Sequence, residues 1–234
     1  MKSNPKRAMT LVEILITLSI SGLLIAGLTT FFINTYKLNF TSNQRIFINS
    51  DIRKITNEMT ENARDATIGL VYASFYPDPI NGDFRSPATD MTAQDYQLRD
   101  NETGDLLVLV YYDQDPNPAD TVRPPIVRLV GYYRSIDDPV NNIGPVRRFD
   151  IAISGSDQNK AVEELIPSVA SQEDHALILE FSRGLANGHL FYNFRSRGIM
   201  VNGQIYHGNA AKRVTNTYNF TITPRGPRGN EQYP

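Results

Sequence analysis

The 234-residue sequence contains no cysteine, no tryptophan and three histidines. Without cysteine there is no disulfide framework, no thiol nucleophile and no cysteine-based zinc site, so packing and hydrogen bonds must hold the fold. His175, His189 and His207 show no HxH or HxxxH spacing, which removes a sequence-local metal pair. Charge of one sign is also missing. The formal net charge of −2 gives no basic excess for nucleic acid, so direct nucleic-acid binding is not expected. Ser154-Gly155-Ser156 lacks the GxSxG elbow and a histidine partner, and no internal repeat is present, so the chain reads as a non-enzyme. What it has in quantity is Tyr and Phe, 12 and 11 of them, to fill a core.

There is one long apolar run. Ile14 to Ile33 supplies about 20 residues, enough as a helix to cross a hydrocarbon layer roughly 30 Å thick. Its polar members, Thr17, Ser19, Ser21, Thr29 and Thr30, can return hydroxyls to carbonyls of the preceding turn. Lys2, Lys6 and Arg7 precede it, which predicts a cytoplasmic N-terminus and an exported remainder. A cleaved secretory signal fits poorly, because the run is too long and LIAGLTT puts Leu24 where a small residue belongs. Glu13 stands at the front edge of the run, where a carboxylate is costly in lipid.

Ala8-Met9-Thr10-Leu11-Val12-Glu13, between a short basic leader and an apolar helix, resembles the class III signal of type IV prepilins and pseudopilins. The resemblance implies that prepilin peptidase cuts between Ala8 and Met9 and that Met9 becomes the N-methylated terminus. It makes Glu13 the fifth mature residue, the family's assembly glutamate, and matches Gly22 to a small residue common in the pilin helix. Ala8 replaces the commoner glycine before the cut, and Thr30 stands where many major pilins carry proline. DIRKITNEMTENARDATIG followed by an apolar strand, with paired tyrosines near Arg-Arg-Phe, is similar to W-type minor pilins and J-type minor pseudopilins. Implied partners are the peptidase, other major and minor pilins or pseudopilins, and an inner-membrane assembly platform. From a different class, a bitopic inner-membrane anchor carrying a periplasmic ligand-binding domain is the alternative.

Beyond Ile33, the residues Ile48, Ile52, Ile55, Met59, Ala63 and Ala66 recur at spacings of three and four, one face of an amphipathic helix. Gly69 reads as its C-terminal stop, and a helix from Met9 to about Ile68 would be about 90 Å long. DLLVLVYY from Asp105 is apolar enough for a strand buried on both faces. IVRLVGYY from Ile126 and RRFDIAI from Arg147 follow as strands. ALILEF from Ala176 and HLFYNF from His189 are expected to pair through a loop with Asn187-Gly188. Asn202-Gly203 suggests a type I′ hairpin turn, and Val214 to Ile222 alternates as a strand with one wet face. AVEELI from Ala161 reads as a helical turn, and the stretch from Pro224 as loop. The expected fold is α+β and pilin-like, a long N-terminal helix on a mostly antiparallel sheet. Its expected organisation is a cleaved leader 1–8, a transmembrane and assembly helix 9–33, an amphipathic continuation 34–68 and a periplasmic domain 69–234.

DQDPNPAD places oxygen ligands at Asp113, Asp115, Asn117 and Asp120, a spacing that suits calcium. It departs from the EF-hand, with Pro118 at the sixth place and no glutamate at the twelfth. Two readings stand, a solvated loop and a calcium-clamped one.

Overall fold

The computed structural model describes residues 10–76, 97–113, 124–135, 143–194, 198–209 and 212–226. The chain divides into two compact units, 1–46 and 47–234. Helix α1 (Leu11–Asp65) contributes residues to both.

In the first unit α1 is long and apolar enough to cross a membrane, and its apolar window is exposed on every side. Leu15, Leu18, Leu23, Leu24, Phe31 and Phe32 are each more than half exposed, a surface suited to lipid or to neighbouring helices rather than to water. Thr17 Oγ1 donates to Glu13 O at 2.5 Å, Ser19 Oγ to Leu15 O at 2.9 Å, Thr29 Oγ1 to Ile25 O at 2.8 Å and Thr30 Oγ1 to Ala26 O at 2.9 Å. Four hydroxyls are therefore satisfied within the helix, so they do not oppose burial in an apolar medium.

In the second unit the predicted stripe is the buried face of α1: Ile48, Ile55, Met59 and Ala63 are inaccessible, and Ile52 packs on the same cluster. The helix ends at Asp65, and Ala66 N–H closes on Asn62 O at 3.1 Å. Gly69 is not its stop. It lies in β1 (Ile68–Tyr72), where a Cβ would come within 2.6 Å of Ile199 Cδ1, so the Ile199 side chain packs directly over it.

The sheet continues with β2 (Thr103–Gly104), β3 (Leu106–Tyr112), β4 (Ile126–Arg134), β5 (Ile143–Ala152), β6 (Ala176–Gly184), β7 (Phe191–Phe194), β8 (Gly198–Asn209) and β9 (Lys212–Ile222). All recorded pairings are antiparallel, in the order β1-β3-β4-β5-β6-β8-β7-β2, with β9 on the other side of β8. Since β2 and β3 are one strand interrupted at Asp105, this order returns to where it began.

Strand β3 is buried on both faces, as its composition predicts. Leu107, Leu109 and Tyr111 join the cluster under α1, and Leu106, Val108 and Val110 face a second cluster around Phe75, Tyr133 and Phe149. At about 1.5–3 kcal/mol for each fully buried aliphatic side chain, this strand is a principal source of stability. The second face is covered by the segment between β5 and β6. It comprises two 3₁₀ turns (Gly155–Asn159 and Val169–Asp174) flanking the short helix α2 (Val162–Leu165), with Val162 and Ile166 as apolar plugs.

Two turn expectations are corrected. β6 and β7 do not pair with each other: Ala186↔His189 is an isolated bridge across a tight turn, with Asn187 at φ 54° and Gly188 at φ 89°, and both strands pair with β8. Asn202-Gly203 is no hairpin turn but the middle of β8. Gly203 lies beneath the Tyr218 ring, where a Cβ would sit 2.4 Å from the ring carbon that bears the hydroxyl. Glycine serves here as a seat for an aromatic ring, and the backbone stays extended.

Candidate functional site

The helix N-terminus carries the chemistry that the sequence singles out. The first amides of a helix have no partner within it, and a side-chain oxygen one turn away can accept them. Thr10 and Glu13 do so reciprocally. Glu13 N–H donates to Thr10 Oγ1 at 3.3 Å, and Thr10 N–H donates back to Glu13 Oε2 at 2.9 Å. The Thr10 hydroxyl also reaches Oε2 at 3.1 Å. This is a capping box on T-x-x-E, and the acidic group sits at the positive end of the helix dipole. The sequence expectation names Glu13 and not Thr10, although Thr followed three residues later by Glu before an apolar run is a legible signal. Ala8 and Met9, the residues flanking the predicted cut, lie outside the described residues.

Of the predicted calcium ligands, Asp113 is described. Its N–H donates to Pro125 O at 2.9 Å, at the end of β3. Asp115, Asn117 and Asp120 lie outside the described residues. Among the described residues no group of three or more His, Cys, Asp or Glu side chains could hold a metal ion.

The histidines are separate from one another. Tyr133 Oη and His175 Nδ1 are 2.7 Å apart, and burial, then the charge of Arg147, holds the His175 imidazole below its ordinary pKa. His207 Nε2 lies 2.9 Å from Asp51 on α1. His189 Nδ1 lies 2.9 Å from Asp105 Oδ2.

That last contact belongs to a polar centre that sequence pattern does not announce. Asp105 and Arg134 are buried, and the guanidinium grips the carboxylate at both ends, Nε to Oδ1 at 3.0 Å and Nη2 to Oδ2 at 2.6 Å. Oδ1 also accepts Leu190 N–H at 2.9 Å, and Arg134 Nη2 donates to Gly188 O at 3.0 Å. The pair ties β3, β4 and the turn before β7 together. It offers a reactant no approach, because the carboxylate oxygens are occupied and buried.

Residues 3–29 match the family model of the prokaryotic N-terminal methylation motif. No curated protein and no solved structure matches the chain.

Proposed function

We propose, from the premise that this is a type IV pilin-like or pseudopilin protein carrying the class III prepilin signal, that it is a minor subunit of a type IV pilus or a type II secretion pseudopilus. The signal belongs to a family of structural subunits, and the long apolar helix fits membrane anchoring. On this reading prepilin peptidase cuts after Ala8, Met9 becomes the methylated N-terminus, and residues 9–33 hold the chain in the inner membrane. Residues 34–68 continue the helix, and 69–234 form the periplasmic domain, with the N-terminus cytoplasmic before the cut. The subunit then leaves the membrane for a filament or its tip, packing its exposed helix against those of other pilins on the assembly platform.

Glu13 has two tasks on this reading. In the isolated chain its Oε2 closes the capping box, which lowers the cost of carrying a carboxylate beside lipid. In the filament the carboxylate meets the amine of Met9 of an adjacent subunit, and the two charges neutralise each other. Calcium at Asp113, Asp115, Asn117 and Asp120 is a further proposal, resting on the oxygen-rich spacing alone.

The methylation motif carries the assignment. Intact mass of protein from cells with the peptidase tests it: the expected product begins at Met9 and bears a methyl group. Retention of residues 1–8 would instead support a bitopic anchor holding a periplasmic ligand-binding domain, and a cut near Gly27 would remove both the family assignment and the anchor.

A further inference from the structure

The dipeptide Asn-Gly occurs at Asn81-Gly82, Asn187-Gly188 and Asn202-Gly203. The first lies outside the described residues. The other two are chemically identical and sit in opposite surroundings. Asn187 is exposed, at φ 54°, in the tight turn between β6 and β7, with Gly188 at φ 89°. Two hydrogen bonds close that turn, Ala186 N–H to His189 O at 3.0 Å and His189 N–H to Ala186 O at 2.9 Å. Asn202 lies inside β8, where its N–H donates to Leu190 O at 2.9 Å and its carbonyl accepts Leu185 N–H at 3.0 Å. Gly203 beside it is buried, set between Gly184 of β6 and Tyr218 of β9, with the Tyr218 ring packed on it.

Asparagine followed by glycine carries a reaction of its own. The glycine nitrogen, on losing its proton to solvent base, attacks the asparagine Cγ, and the missing Cβ leaves the approach open. The new N–Cγ bond closes a cyclic imide, the bond from Cγ to the side-chain nitrogen breaks, and ammonia leaves with a proton from water. Water then opens the imide. Attack at the side-chain carbonyl gives aspartate. Attack at the main-chain carbonyl gives isoaspartate, whose main chain runs through the former side chain and is one carbon longer. Water enters and ammonia leaves, with no other reactant. Ring closure rotates the chain between the asparagine Cα and the glycine nitrogen, so the rate follows local opening. At Asn187 the turn that must open is exposed and closed by two bonds; at Asn202 the rotation breaks ladders on both sides of β8 and displaces a buried ring.

We propose that Asn187 is a site of spontaneous deamidation and isomerisation, that its strand protects Asn202, and that the isoaspartyl product loosens the buried Asp105–Arg134 pair. The turn holds three groups against that pair. Gly188 O accepts Arg134 Nη2 at 3.0 Å, His189 Nδ1 lies 2.9 Å from Asp105 Oδ2, and Leu190 N–H donates to Asp105 Oδ1 at 2.9 Å. Aspartate at 187 keeps the main-chain length and tolerates positive φ, so the turn survives it. Isoaspartate adds a main-chain carbon inside the turn and shifts what the turn holds. None of this depends on the pilus reading.

Cleavage after Arg183, Arg195, Arg197 and Lys212 puts Asn187 and Asn202 in different tryptic peptides, so mass spectrometry reads the two sites separately. Full-length protein in detergent micelles is held in mildly alkaline buffer, with a second sample unfolded in guanidinium. In the folded protein Asn187 is expected to show the amide-to-acid mass gain several-fold faster than Asn202, and in the unfolded sample the two rates are expected to differ far less. Equal rates in the folded protein, or the same ratio folded and unfolded, overturn the proposal. The isoaspartyl fraction, separated by chromatography, is expected to melt below Asn187→Asp, which has the same charge and an ordinary main chain. Coincident melting of the two overturns the link to the buried pair.

Discussion

Replacing Asp105 by Asn keeps the size and removes the negative charge from a buried ion pair. Arg134 would keep its charge and lose its recorded carboxylate partner, Asp105, while its side chain stays inaccessible. The new amide also presents donors to the Arg134 Nε, Arg134 Nη2 and Leu190 N–H donors that now converge on the carboxylate. Breaking one side of a buried pair costs about 3–5 kcal/mol, a large share of a domain stability of about 5–15 kcal/mol. At about 2–4 °C per kcal/mol for a body of this size, the melting temperature should fall by roughly 6–20 °C. Thermal unfolding of the full-length protein in micelles, followed by near-ultraviolet circular dichroism, reads this. Asp105→Leu with Arg134→Met should recover much of the loss but not all, because Leu190 N–H stays unsatisfied at a cost of about 1–3 kcal/mol. A loss below about 1 kcal/mol in Asp105→Asn would mean that water reaches the pair, and the reasoning from burial would fail.

Thr10→Ala and Glu13→Val both break the capping box, at about 0.5–2 kcal/mol for the cap, but only Glu13→Val is expected to reduce co-purification with sheared filaments or crosslinking to partner pilins. Glu13→Lys should not restore it. Equal loss from Thr10→Ala would assign Glu13 to helix capping alone. If calcium binds the 113–120 segment, the protein melts higher in millimolar calcium than in chelator; superimposable curves retire that site. The His175 pKa is depressed by burial and by Arg147, so the unfolded chain takes up its proton first as pH falls below about 6.5, and folded-state stability declines there until the native imidazole is protonated too. His175→Gln should remove that component from the melting temperature between neutral pH and pH 5.

Periodicity made the helix stripe and the doubly buried β3 legible, because Ile48, Ile55 and Met59, and the run Leu106–Tyr111, each have few other ways to leave water. The same local reading misplaced a turn. Asn187-Gly188 and Asn202-Gly203 are identical dipeptides between apolar stretches, yet only the first turns, and the second is chosen by the Tyr218 ring that packs on Gly203. Nothing near Asp105 or Arg134 marks them as partners, since they lie on separate strands and meet only when β3 and β4 pair. At the candidate assembly site, the T-x-x-E pattern is legible in the sequence at both of its ends, Thr10 and Glu13. The cost of a carboxylate beside lipid marks Glu13 alone, whereas the hydrogen bonds that Thr10 gives it follow only from the three-residue spacing.

The return of the strand order at Asp105 also has a kinetic side. β3 with β4, β4 with β5, and β8 with β9 join segments that are neighbours in sequence. The seam instead pairs Thr103 with Tyr192 and Gly104 with Phe191, from distant parts of the chain. Loop-closure entropy makes such a contact slow to form relative to the local hairpins. The same closure brings Leu190 N–H onto Asp105, so zipping the seam and drying the buried charges are a single event. Hydrogen exchange at Leu190 should therefore time the opening of the seam separately from the fraying of the hairpins.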